Sequence, residues 1–103
     1  MQLDFEVQGT TLIAKLVGEL DHHTARSVRE PIDFKLASGI YHKLILDFTG
    51  LTFMDSSGIA VVMGRVNYLS PLGGTVEIRS HNEKINRILT LSGITKYARL
   101  IAG

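Results

Sequence analysis

The stretch Leu44-Ile45-Leu46-Asp47-Phe48-Thr49-Gly50-Leu51-Thr52-Phe53-Met54-Asp55-Ser56-Ser57-Gly58-Ile59 holds both rhythms of the chain. It opens on an uninterrupted apolar run, Leu44 to Leu46. Such a run belongs to a central strand covered on both sides, because a half-wet strand alternates apolar and polar residues. Thr49 and Gly50 then read as the start of a connection that ends in Asp55-Ser56-Ser57-Gly58. Beyond it Ile59, Val62, Met63, Val66 and Leu69 recur at helical spacing, which predicts one buried helix face. Gly58, Ala60 and Gly64 are small enough to let that helix pack closely. A buried strand that feeds a helix through a short polar joint is the unit from which α/β folds are built.

Working outward, Leu3, Phe5 and Val7 alternate with Asp4, Glu6 and Gln8, and Leu12, Ala14 and Leu16 repeat the pattern after Gly9 and Thr10. The period of two and the glycine turn predict an antiparallel hairpin. After Gly18 the residues Glu19, Leu20 and Asp21 leave the strand, and Ala25, Val28, Ile32 and Leu36 form the stripe of a helix that Gly39 stops. Pro31 lies inside that stripe. Its ring meets the carbonyl of Ser27, at a cost of about 3 kcal/mol in a regular interior, so the reading expects a kink there or a looser turn before it.

Pro71, Gly73 and Gly74 break the chain before Val76 and Ile78, which alternate with Glu77 and Arg79 as another strand. Ser80 with Glu83 matches a capping box, with Asn82 as a competing cap, and Ile85, Ile88 and Leu89 supply a helical stripe that ends at Gly93. The segment from Ile94 to Ile101 is amphipathic but too short to assign. The order strand, strand, helix, strand, helix, strand, helix predicts an α/β fold. Its later strands pair in parallel, giving a mixed four-stranded sheet packed by α-helices, in a single domain over residues 1–103.

Composition narrows the function classes. The 103 residues carry 11 Lys plus Arg against 10 Asp plus Glu, a formal charge of +1, which does not supply the basic stripe that nucleic acid or an anionic membrane requires. With no cysteine, disulfides, thiolate catalysis and Cys-based metal centres are excluded. Apolar runs such as Ile59 to Met63 stop far short of the roughly 18 to 20 residues that span a bilayer. Asp4 and Glu6 interrupt what a secretion signal would need. The expected setting is the cytoplasm, with no nucleic-acid or membrane partner.

Two segments carry polar groups at joints between strand and helix. Phe53-Met54-Asp55-Ser56-Ser57-Gly58 places two hydroxyls where a helix opens. Free backbone N–H groups and the helix dipole favour an anion or a capping oxygen there. Ser56 or Ser57 serves as an ordinary cap on the bland reading. On the sharper one, a serine accepts a phosphoryl group, which adds about −1.5 to −2 charge and repels a partner fitted to the bare hydroxyl.

Gly18-Glu19-Leu20-Asp21-His22-His23-Thr24 is the second segment, where Asp21 or Thr24 is a candidate cap. The paired histidines invite a metal reading, but neighbouring side chains diverge and no third or fourth ligand follows at a recognisable spacing, so no metal is expected. A serine hydrolase built from Ser56 or Ser57, a base in His22 or His23, and Asp21 is the enzymatic alternative. Against it, Met54 occupies the first glycine position of Gly-x-Ser-x-Gly. Gly73-Gly74 lacks the Gly-Lys-Ser/Thr end of a phosphate loop.

The segments Gly18 to Ala25 and Phe53 to Gly58, supported by Gly64-Arg65, Gly73-Gly74 and Leu91-Ser92-Gly93, resemble a STAS domain of the bacterial anti-sigma factor antagonist type. The sporulation anti-sigma F kind is the nearest, and the resemblance covers nearly the whole length. It implies that the unmodified protein binds an anti-sigma factor that is also a serine kinase and so frees the sigma factor. Phosphorylation at Ser56, the first serine of the pair, ends that activity. Asp55, Ser57 and Gly58 surround the acceptor, and Asp21, His23 and Thr24 form the adjoining partner surface. A phosphoserine phosphatase restores the hydroxyl. The resemblance thus implies a regulatory switch that is not an enzyme and needs no cofactor. STAS modules of stress-response, sensory or transport complexes share the fold, and Pro31 and the stop at Gly103 are departures from the pattern.

Overall fold

The computed structural model describes residues 1–101. Strands β1 (Gln2–Gln8) and β2 (Thr11–Leu20) form the expected antiparallel hairpin, in register from Gln2↔Val17 to Gln8↔Thr11. Gly9 makes the turn at φ +61°, a region that glycine enters without a Cβ clash. Helix α1 (Ala25–Leu36), strand β3 (Lys43–Met54), helix α2 (Ser56–Leu69), strand β4 (Thr75–Arg79), helix α3 (Glu83–Ser92) and strand β5 (Arg99–Ile101) follow. The strands lie in chain order, β1-β2-β3-β4-β5, with every pair after the first parallel. The expected mixed sheet therefore has five strands rather than four. Arg99 to Ile101 pair with Glu77 to Arg79, a ladder of three residues, too short to show a period of its own.

Each crossover moves one strand onward in the same direction, so a common handedness brings all three helices onto one face of the sheet. Leu12, Ala14 and Leu16 of β2, Leu44, Leu46 and Phe48 of β3, and Val76 and Ile78 of β4 join the buried stripes of the helices in one core. Among the described residues the other face carries no helix. Glu6, Ile13, Ile45 and Glu77 make one row across four strands, and Asp4, Lys15, Asp47 and Arg79 make the next, alternating in sign. Ile13 is 0% exposed and Ile45 5%, bracketed by the Lys15–Glu6 and Lys43–Glu77 ion pairs at 2.9 and 3.1 Å. The second cover predicted for Leu44 to Leu46 thus consists of the aliphatic stems of long charged side chains, not of a layer of helices.

Several local expectations change in the folded chain. Thr49 and Gly50 do not start a connection: β3 continues through them to Met54. The register shifts twice here, from Lys15↔Asp47 to Val17↔Gly50 and from Gly18↔Leu51 to Glu19↔Phe53, so β3 accommodates two extra residues as bulges. Gly50 sits at the first of them, where a Cβ would stand 2.7 Å from the Leu16 carbonyl oxygen and 2.8 Å from Val17 Cγ2. At the facing end β2 also runs on through Glu19 to Leu20.

Helix α1 passes unbroken through Pro31, with no looser turn before it, and buries the predicted Ala25, Val28, Ile32 and Leu36. Pro31 and Ser27 both lie on the exposed side, where water can serve the carbonyl that proline leaves without a donor. At α3 the cap is Asn82, whose side chain accepts from the Lys84 and Ile85 amides at 3.0 and 3.2 Å. Ser80 is buried and its hydroxyl has no partner among the described residues, so the Ser80–Glu83 capping box does not form.

Candidate functional site

Parallel pairing of β2 with β3 ends at Leu20↔Met54, which sets the two polar segments side by side at one edge of the molecule. The Asp55 amide donates to the Leu20 carbonyl at 3.2 Å and ties the joints together. Residues more than thirty positions apart in sequence thereby share one surface.

The first joint is closed by Asp21. Its Oδ1 accepts from the His23 and Thr24 amides at 2.9 and 3.1 Å, a side chain imitating a backbone turn. Thr24 Oγ1 accepts from the Asp21 amide at 3.0 Å and donates to the Glu19 carbonyl at 2.9 Å. Desolvation raises the Asp21 pKa, but the hydrogen bonds from Thr24 and His23 outweigh it, and the carboxyl is held below its ordinary value. Thr24 occupies the cap position of α1 without a side-chain cap bond, and the first helical amide, that of Ala25, donates to the Asp21 backbone carbonyl at 2.9 Å. His22 and His23 are both exposed, and their rings lie 3.9 Å apart. They do not diverge as the sequence reading expected. Among the described residues, no group of three or more His, Asp or Glu is placed to hold a metal ion.

At the second joint, Asp55 is the cap of α2, displacing Ser56 and Ser57 from that role. It has an extended backbone (φ −107°, ψ −166°), and its Oδ1 accepts from the Ser57 amide at 2.8 Å. A carboxylate at the positive end of a 14-residue helix gains from the dipole as well as from the hydrogen bond. Ser56 is the first helical residue, exposed, and its hydroxyl makes no hydrogen bond among the described residues. Ser57 is half-buried and Gly58 buried. A Cβ at Gly58 would overlap Met54 Cγ and Sδ and approach Leu20 Cδ2 at 3.3 Å, so only glycine permits the helix to start this close to the sheet. Among the described residues, no hydrogen bond joins Ser56 or Ser57 to His22 or His23, and the nucleophile–base contact of a hydrolase is not assembled.

The family model described as STAS domain matches residues 2–102. The chain belongs to the STAS family. It is 35% identical over 96 residues to the anti-sigma F factor antagonist of Paenibacillus polymyxa, which covers 93% of this chain and 82% of that protein. The solved structure of the anti-sigma factor antagonist SpoIIAA in its unphosphorylated form is similar, with a TM-score of 0.84 and 28% identity over 98% of this chain and 89% of that one. The Bacillus cell fate determinant SpoIIAA in its phosphorylated form matches with a TM-score of 0.77 and 28% identity, over 98% of this chain and 92% of that one. In this STAS domain the fifth strand, the two bulges and the shared edge at Leu20 and Met54 are details that the motifs alone do not specify. No described helix is long and apolar enough to cross a membrane.

The sequence reading missed a group on the flank of the site. Arg65 is buried on α2, with its Nε 2.9 Å from Asp33 Oδ1 of α1. Its signal was present: Arg65 lies four residues after Val61 and four before Leu69, within the face that the helix buries. Full burial falls on Gly58, Val61, Val62, Arg65, Val66 and Leu69, while Ile59 and Met63 of the predicted face are half-buried. The shift arises because α2 packs against α1 and α3 on either side as well as against the sheet. Of the small residues, Gly58 meets close neighbours, whereas Ala60 is exposed and Gly64 faces open space.

Proposed function

We propose that this chain is an anti-sigma factor antagonist that is switched by phosphorylation of Ser56. The observation that carries the reading is the state of the Ser56 hydroxyl. It is exposed and unbonded at the first position of α2, with the capping duty taken over by Asp55. A kinase needs such a hydroxyl, free to enter its active site without unfolding the helix. A phosphoryl group there keeps the favourable end of the helix dipole, so the fold tolerates it. The outer surface, which already carries Asp21 and Asp55, becomes strongly anionic.

In this reading the docking surface combines Ser56, Ser57 and Asp55 with Asp21, His23 and Thr24, and Gly58 supports it from beneath. The bare form binds an anti-sigma factor with serine kinase activity and releases the sigma factor, and a phosphoserine phosphatase reverses the modification. The protein is then a substrate and a switch in the cytoplasm, not a catalyst. The likeness to antagonists solved in unphosphorylated and phosphorylated forms supports the assignment.

The test is incubation with an anti-sigma kinase and ATP, followed by peptide mass mapping. Phosphate is expected on Ser56, abolished by Ser56→Ala, which still binds the kinase. Ser56→Asp is expected to weaken binding by at least tenfold, the effect of about 1.4 kcal/mol. Modification confined to Ser57, or equal affinity for all three proteins, overturns the reading.

A further inference from the structure

Helices α1 and α2 do not close against each other along their length. An open groove of about 640 Å³ runs between them, lined by Arg26, Arg29 and Asp33 on one side and Ser57, Gly64 and Arg65 on the other. The volume is within the range of small-molecule sites. Three guanidiniums meet one carboxylate there. Arg26 is occupied by the exposed Glu30 at 2.6 Å, and Arg29 makes no ion pair among the described residues.

Arg65 is the unusual member. It is 8% exposed, yet among the described residues its buried Nη1 has no partner, and its Nε faces Asp33 Oδ1 at 2.9 Å without the alignment of a hydrogen bond. Burial pushes its pKa down, Asp33 opposes this, and Arg29 adds to it. A guanidinium taken out of water needs its donors satisfied, and one half-exposed carboxylate on one edge leaves that need unmet. Nε and Nη1 are closed to water, so a second acceptor in the groove meets Arg65 through Nη2, by a charge-assisted hydrogen bond.

We propose that the α1–α2 groove is an oxyanion site that takes the phosphate or carboxylate group of a small molecule on Arg65 and Arg29, with Arg26 at the rim. Ser57 lies on the same wall. An occupant therefore brings negative charge beside Ser57, the neighbour of the exposed serine, without any covalent change. The proposal does not rest on the phosphorylation reading, because its test uses the unmodified protein alone.

The experiment is a titration of the full chain, followed by its backbone amide and arginine Nε–H resonances, with inorganic phosphate, malonate, or chloride at matched ionic strength. Saturable shifts are expected at Ser57, Gly64 and Arg65 with phosphate or malonate, and not with chloride. The anion that saturates first distinguishes a phosphate from a carboxylate ligand. Arg29→Ala should weaken that binding about tenfold, the loss of one charge-assisted hydrogen bond. Arg65→Met should remove it, and Arg29→Ala, a surface change, decides the matter if Arg65→Met does not fold. Equal shifts with chloride, no saturation with either anion, or unchanged affinity in Arg29→Ala overturns the proposal.

Discussion

Helix α2 begins with Asp55 accepting one amide at 2.8 Å, and α3 begins with Asn82 accepting two at 3.0 and 3.2 Å. Both caps have extended backbones, and both helices start on an exposed residue, Ser56 in one and Glu83 in the other. What separates them lies underneath. The third helical residue is Gly58 in α2, pressed onto Met54 and Leu20, and Ile85 in α3, which fills its space with a side chain 2% exposed. Asp55 is also tied through its amide to Leu20, whereas beneath α3 the Ser80 hydroxyl and Asn86 Oδ1 have no partner among the described residues. A cap is a common device. The α2 entrance becomes a docking candidate because close packing fixes its first turn against the neighbouring joint and leaves the short side chain of Ser56 on top.

The contrast is broken most severely at the third helical position. Gly58→Val forces a β-branched side chain into Met54 and Leu20 and is expected to cost about 3 kcal/mol, at the upper end of overpacking. Ile85→Ala, the reciprocal change, is expected to cost about 3 kcal/mol through a cavity. Urea denaturation reads both. A midpoint for Gly58→Val close to that of the parent would show that α2 can lift off the sheet without loss.

The caps give a smaller effect. Asp55→Ala and Asn82→Ala should each lose about 1 kcal/mol in the same assay. Asp55→Asn should recover most of the loss at α2, because an amide oxygen can also accept from the Ser57 amide. Failure of Asn to rescue would mean that charge, not capping, holds this entrance.

The smallest effect concerns the joint beside it. The Asp21 carboxyl titrates below its ordinary value despite desolvation, through its bonds from Thr24 and His23. A depressed folded pKa favours the native state above the unfolded value of about 3.9, and that contribution fades as pH falls through the lower folded value. Carboxyl NMR should place the Asp21 midpoint below that of an unstructured aspartate. Thr24→Val should move it upward, because the Thr24 hydroxyl, 2.9 Å from the Glu19 carbonyl oxygen, also lies 3.3 Å from Asp21 Oδ1 and shares its proton with that oxygen. An unmoved midpoint would remove the hydroxyl from the account.

Much of the arrangement could be read from periodicity. The hairpin, the three helical stripes and the central position of Leu44 to Leu46 depend on contacts within a few residues, and they emerged with the right type and order. The two polar segments were recognisable for a similar reason, since a small acidic-hydroxyl cluster after a strand has local meaning at a helix start. Gly50 misled because a glycine in a bulge and a glycine in a turn have the same local signature, and only the neighbouring strand tells them apart. Strand β5 offered three residues, less than two full periods, and became visible through its partner β4.

Local patterning therefore determined the succession of strands and helices and the presence of an acidic-hydroxyl joint at the head of α2. Three things were decided by tertiary structure. These are the meeting of Leu20 with Met54, the choice of Asp55 as cap so that Ser56 stays bare, and the burial of Arg65 opposite Asp33. The physical reason is range: hydrophobic period and capping chemistry act over one or two turns. The environment of a particular oxygen or guanidinium is set by segments that are distant in the chain and adjacent only once the sheet has assembled.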